Sequence, residues 1–147
     1  MNQPTYILGS VQTRAYALLR ENVYSVLSKY DITPTYWSML GIILEARDGI
    51  RQAEVARMMN VKAPLITLMA REMQNRGFLQ SVHNQFDARA KLLSVTPQGK
   101  KFIKSTDIEL QKQLNYLLNG LTENDLITYQ KVLTTIVTNA ETPTATS

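Results

Sequence analysis

Apolar residues recur at three- and four-residue steps through the first thirty positions: Leu8, Val11, Ala15, Leu18, Leu19, Val23, Val26, Leu27 and Tyr30. That is the period of one helical face, so the pattern predicts a long first helix. Asp31-Ile32-Thr33-Pro34 stops it and starts another, because Thr33 can cap and Pro34 suits a first helical turn with its missing N–H and preset φ. Trp37, Leu40, Ile43 and Leu44 are expected to form the buried face of this second helix. After Asp48-Gly49 a short helix should carry Val55, Ala56 and Met59 inward, and Asn60, tolerant of the left-handed conformation, should supply the turn.

The stretch "VKAPLITLMAREMQNRGFL" holds two patterns at once. Ile66, Met69, Ala70 and Met73 fall within a narrow arc at roughly 100° per residue and predict a core stripe. Pro64, Leu68, Arg71 and Asn75 line up on the opposite side, with Thr67 beside them. Two short helices joined by a tight turn, the second exposing a small and basic face, make a helix-turn-helix, although an ordinary helical hairpin of a bundle would share the pattern.

Period two follows period 3.6. Gly77 ends the helix, Phe78 to Val82 reads as a strand, Asn84 to Ala88 as a polar turn, and Arg89 to Val95 as the returning strand. Alternation puts Arg89, Lys91, Leu93 and Val95 on one face, so the inner pair packs while the outer pair projects from the hairpin tip. Cations there suit a phosphate backbone or a narrow minor groove. Asp87, two residues before Arg89, is expected to hold its guanidinium by a charge-assisted bond.

Thr96-Pro97 should open the next helix, whose stripe is Phe102, Ile103, Leu110, Leu114, Leu117 and Leu118. After Asn119-Gly120, Thr122 can cap a last helix with Glu123 and Asp125 in its first turn, and Leu126, Tyr129, Val132, Leu133 and Ile136 continue the stripe. The apolar faces at both chain ends exceed what the small core of short helices and hairpin between them can cover. They predict a two-fold homodimer, with intramolecular packing of three helices as the alternative.

Composition narrows the classes. With 147 residues, 44% of them hydrophobic, the chain can bury a real core. It has no cysteine, which excludes disulfides and thiolate metal sites. No apolar run is long enough to span a bilayer and no secretory leader is evident, so the expected setting is the cytoplasm, with no membrane partner. The net charge of +4 is unevenly placed: from Arg51 to Lys104 there are ten Lys/Arg against three acids, a local +7, while the remainder is mildly acidic. A basic middle between acidic ends suits a polyanion such as double-stranded DNA, though a solvated surface would look alike. His83 is the only histidine, and the six glycines form no phosphate loop. No catalytic set, metal site or cofactor is expected.

Four pieces, "ITPTYWSML" (32 to 40), "QAEVARMMNV" (52 to 61), "NRGFL" (75 to 79) and above all "DARAKLLSVTPQGK" (87 to 100), together resemble the multiple-antibiotic-resistance regulators (MarR), which are winged helix-turn-helix transcription factors. The resemblance implies a mainly α fold with a small β wing. It implies a winged helix-turn-helix DNA-binding region over 31–100, a helical dimerisation region from 1–30 and 101–140, and a tail over 141–147. It gives Asp87 and Arg89 the wing role, with Arg89 entering the minor groove, and starts the recognition helix near Ala63 with its end at Arg76. Relatives often bind small aromatic or anionic effectors between the dimer helices and the winged core. Tyr16, Tyr36 and Trp37 could line such a cleft or pack the core.

One departure from the family's pattern concerns base readout. Many relatives have Ser or Thr at the start of the recognition helix and Arg in its second turn, where this chain has Pro64, Leu65 and Leu68. Ala63 is a poor N-cap, which leaves N–H groups for a DNA phosphate, and Leu68 either touches thymine methyls or extends the core. The expected function is a repressor that binds a pseudo-palindromic operator as a homodimer. Lys62, Ala63, Pro64, Thr67, Leu68 and Arg71 are the major-groove candidates, and Asp87, Arg89 and Lys91 serve the wing. Arg51, Arg57 and Lys100 are weaker phosphate candidates. The rival is a ligand- or protein-binding module of the same fold that does not read DNA.

Overall fold

The first helix, α1 (Thr5–Leu27), passes into one 3-10 turn (Ser28–Tyr30), where Asp31 at φ 54° closes the chain by donating its N–H to the Ser28 carbonyl. The computed structural model describes residues 5–87, 89 and 91–142, and the chain divides after Leu114 into two compact units. Thr33 accepts the Tyr36 N–H and Pro34 occupies the first turn of α2 (Pro34–Glu45), as their spacing predicts. Helix α3 (Gln52–Met59) ends at Asn60 in the left-handed conformation, φ 53°. Helix α4 (Ala63–Asn75) follows and ends before Gly77, φ +78°.

Strands β1 (Leu79–His83) and β2 (Lys91–Val95) pair antiparallel, with Leu79 opposite Val95 and His83 opposite Lys91. Ile50 adds a short bridge to Leu93, so the segment before α3 is sewn to the root of the hairpin. Two strand boundaries differ from expectation. β1 starts at Leu79, because the N–H of Phe78 closes the end of α4 on the Met73 carbonyl. β2 starts at Lys91, because Arg89 sits in a turn; Ala88, assigned to the polar turn, lies outside the described residues.

The core of this unit draws on every element: Leu27 from α1, Met39, Leu40 and Ile43 from α2, Val55 from α3, Ile66, Met69, Ala70 and Met73 from α4, Leu93 and Val95 from β2. The predicted stripe of α4 is buried in full. In α2 the fully buried Met39 takes the place expected of Trp37, which packs half-buried at the edge. Thr96 caps α5 (Pro97–Leu117) by accepting the Gly99 N–H at 3.0 Å while its hydroxyl donates to the Gly77 carbonyl. Thr106 of α5 is wholly buried. Edge-on Tyr30 and stacked Phe78 flank Phe102.

In the second unit, Gly120 at φ +88° makes the turn, and Thr122 with Asp125 forms a reciprocal capping box at the start of α6 (Glu123–Glu141). Ile127, Tyr129, Val132, Ile136 and Val137 of α6 are exposed large apolar residues. Glu141, assigned above to the tail, is the last residue of α6; the threonines there do not stop the helix because their hydroxyls bond carbonyls four residues back. Residues 143–147 lie outside those described. No described helix is long and apolar enough to cross a membrane.

Candidate nucleic-acid interface

Helix α4 buries one side and turns the other outward. Lys62, Ala63, Pro64, Leu65, Thr67, Leu68, Arg71 and Asn75 are all exposed. The N-cap is Lys62, one residue before the expected Ala63, since proline is tolerated anywhere in a first turn and Pro64 here sits at its second position. Lys62 makes no side-chain cap, and the backbone N–H of Ala63 remains at an end that favours anions. The Thr67 hydroxyl is shared between Gln52 Oε1 at 2.8 Å and the Ala63 carbonyl at 3.2 Å. Gln52, at the start of α3, thereby ties the two helices of the motif together. Nothing in its residue type marked it in advance, and only the pairing of the helices brings it there.

At the wing, Asp87 does not take the role expected of it. Its Oδ1 accepts the backbone N–H of Arg89 at 3.0 Å, and its Oδ2 lies 3.8 Å from the guanidinium of Arg51. An i to i+2 bond of this kind is an Asx turn, which local geometry favours over a side-chain pair two residues apart. Asn84 makes a second such bond to the Phe86 N–H. Arg89 and Lys91 are exposed, and so is Phe86, at 96%. Asp87 is therefore a shaping residue of the tip, and Arg51 is held beside it.

The other candidates separate. Arg57 forms a two-pronged pair with Glu54 on its own helix, and this holds the carboxyl of Glu54 below its usual range. Lys100 is exposed and lines a shallow concavity with Arg47 and Ser94. Arg76, at the end of α4, points inward: it donates to the carbonyls of Tyr30 and Asp31 at 2.7 and 2.8 Å and lies over the Phe78 ring. Sequence reasoning gave Arg76 no role, because a carbonyl acceptor carries no residue signature.

Of the three aromatic residues, Tyr16 lies on α1 and Tyr36 and Trp37 lie side by side on α2. Tyr16 is exposed on α1, where its hydroxyl accepts from Arg20, and a second Arg20 nitrogen reaches Thr35. The concavity beside Arg20 is lined by Ala17, Glu21, Tyr24, Thr33, Pro34 and Thr35 instead. Tyr36 sends its hydroxyl to the Glu72 carboxylate across α2 and α4, and burial, with that bond second, pushes its phenol up to about 12. A further polar link joins the 3-10 turn to α5: Glu109 accepts from Lys29 and from the Tyr30 hydroxyl, which lowers its pKa and raises both of theirs. Among the described residues no cluster of acids and histidine could hold a metal.

Residues 32–91 match the sequence model of the MarR family. The chain is 23% identical over 145 residues to the HTH-type transcriptional repressor MdtR of Bacillus subtilis (strain 168), covering 97% of this chain and 93% of that one. Among solved structures it resembles CouR from Rhodococcus jostii RHA1 bound to p-coumaroyl-CoA, with TM-score 0.79, 19% identity and coverage of 88% and 90%. It likewise resembles CouR bound to a 23-mer DNA duplex, with TM-score 0.73, 22% identity and coverage of 88% and 92%. At these identities the structures share the fold.

Proposed function

We propose that this chain, whose residues 32–91 match the MarR family model, is a winged helix-turn-helix DNA-binding transcriptional repressor that grips a pseudo-palindromic operator as a homodimer. The observation that carries the reading is the outward side of α4. The second helix of the motif presents Lys62, Thr67, Leu68 and Arg71 to solvent while its other side is locked into the core, the arrangement a major-groove reader needs. Arg89 and Lys91 on the hairpin tip add a second cationic contact, suited to an adjacent minor groove. The uncapped start of α4 offers an N–H to a phosphate.

Residues 1–30 and 101–140 serve as the dimerisation region, and 31–100 as the DNA-binding region. Leu8, Val11 and Leu18 of α1 and Val132 and Ile136 of α6 are half exposed or more, and a second copy would cover them. The MdtR likeness supports repression, and the coumaroyl thioester bound to CouR supports release by a small aromatic or anionic effector. Such a regulator works in the cytoplasm and is not an enzyme.

Fluorescence anisotropy with the duplex upstream of the chain's own coding sequence, against a scrambled duplex, tests the reading across a salt series. Tight binding to the first alone, weakening with salt, is the expected result. Equal and weak binding to both would leave the rival, a partner-binding module on the same scaffold, for which the exposed Leu65 and Leu68 speak.

A further inference from the structure

The outward side of α4 is unusually poor in hydrogen-bonding groups for a base reader. From Ala63 to Leu68 the only polar side chain is Thr67, and its proton is already committed to Gln52 and the Ala63 carbonyl. Leu65 and Leu68, three residues apart, are 41% and 61% exposed, although the core lies one helical face away and the residue after each, Ile66 and Met69, is buried. Lys62 and Arg71 stand at either end of this apolar strip. The layout is two cations with a short run of alkyl groups between them.

A polyanion held by those cations would lay its groove against the alkyl run. The floor of the major groove presents one apolar group, the C5 methyl of thymine. Resting on the DNA-binding reading above, we propose that Leu65 and Leu68 select the operator by packing against thymine methyls, so that each half-site is chosen by methyl contact rather than by hydrogen bonds from α4. Two effects favour thymine over cytosine at the covered positions. Each methyl taken from water against a leucine gains about fourfold in affinity. A cytosine amino group pressed against the same leucine would lose its water and find no acceptor. A protein partner is the weaker occupant, because two leucines between two cations offer far less area than the roughly 800 Å² per side of a stable interface.

The test begins with selection of bound duplexes from a random-sequence pool by the full chain. Each thymine of the selected half-site is then replaced by deoxyuridine, which removes only the methyl and keeps every hydrogen-bonding group. Dissociation constants are measured for the natural chain and for Leu68→Ala, an exposed position whose folding is checked by its melting curve. The natural chain should lose about fourfold at each contacted thymine, and Leu68→Ala should lose this sensitivity at the position Leu68 covers. Indifference to uridine at every position overturns the inference while leaving the regulator reading in place. If no duplex is selected, the regulator reading itself falls and this inference falls with it. If Leu65→Gln and Leu68→Gln instead shift the oligomeric state in sedimentation, with no methyl effect, the strip is a chain–chain surface and the inference is overturned.

Discussion

The carbonyl oxygen of Phe78 lies so close to Gly99 that a Cβ on that glycine would sit 2.2 Å from it, and 2.8 Å from Cγ1 of Val95. The carbonyl cannot easily yield, since it accepts the Thr96 N–H at 3.0 Å. The root of the wing and the start of α5 meet closely here, with the Phe78 carbonyl against the Gly99 backbone. Gly99→Ala should therefore destabilise the fold by about 3 kcal/mol, at the upper end of ordinary overpacking. Gly41→Ala in α2, where an added Cβ meets nothing within 4 Å, should stabilise it by roughly 0.5–1 kcal/mol. Urea midpoints of the two variants, at one protein concentration, check both signs.

Asp87 and Arg89 of the wing should behave differently. Arg89→Ala should weaken operator binding and reduce the slope of log affinity against log salt by about 0.9 if one phosphate contact is lost. Asp87→Asn keeps an oxygen for the Arg89 N–H and loses only the long pair with Arg51, so affinity should change little. Asp87→Ala removes the turn-forming acceptor and should bind more weakly than Asp87→Asn. Anisotropy titrations at three salt concentrations separate the three variants.

Thr106 carries the buried hydroxyl that finds no hydrogen-bond partner among the described residues. A hydroxyl in that position costs about 1–3 kcal/mol of desolvation without return. Thr106→Val keeps the branched shape and removes the oxygen. The variant should be more stable by about 1 kcal/mol and melt roughly 3 °C higher, measured by calorimetry at fixed concentration.

Tyr36 predicts an alkaline limb. Its phenol, pushed up to about 12 by burial and then by Glu72, ordinarily titrates near 10. A group whose pKa rises on folding contributes its full stabilisation below the unfolded value and loses it as pH climbs through the folded value. The fold should accordingly weaken between about pH 10 and pH 12, in part through this residue. Tyr36→Phe should be less stable than the natural chain at pH 8 and show a shallower decline above pH 10, read from denaturant midpoints across that range. A decline as steep in Tyr36→Phe would remove the assignment.

Periodic features were open to reading in advance. Ile66, Met69, Ala70 and Met73 share an arc because helical geometry demands it, and the structure buries all four. Thr33-Pro34 and Thr122 announced helix starts through residue type alone. What escaped were interactions that do not follow period or type. The alternation of Asp87, Arg89 and Lys91 imitates a strand, yet the first two belong to an Asx turn, because a side-chain oxygen competes with the ladder for the Arg89 N–H. Tyr36 and Glu72, Gln52 and Thr67, and Lys29 and Glu109 meet only once helices are packed, so no local pattern announces them. The outward side of α4, with Pro64, Thr67, Leu68, Arg71 and Asn75, follows from helical geometry, and the structure leaves all five exposed. The inward use of Arg76 does not, since its acceptors are main-chain oxygens.

That inward guanidinium clamps α4 at its heel while the toe, at uncapped Lys62, stays untethered by any cap. A rod of thirteen residues, about 20 Å long, magnifies angle into sweep: each degree of tilt about that heel would move the toe by about 0.3 Å. Ten degrees would carry Ala63 roughly the rise of one base pair, enough to put the rod out of step with its target.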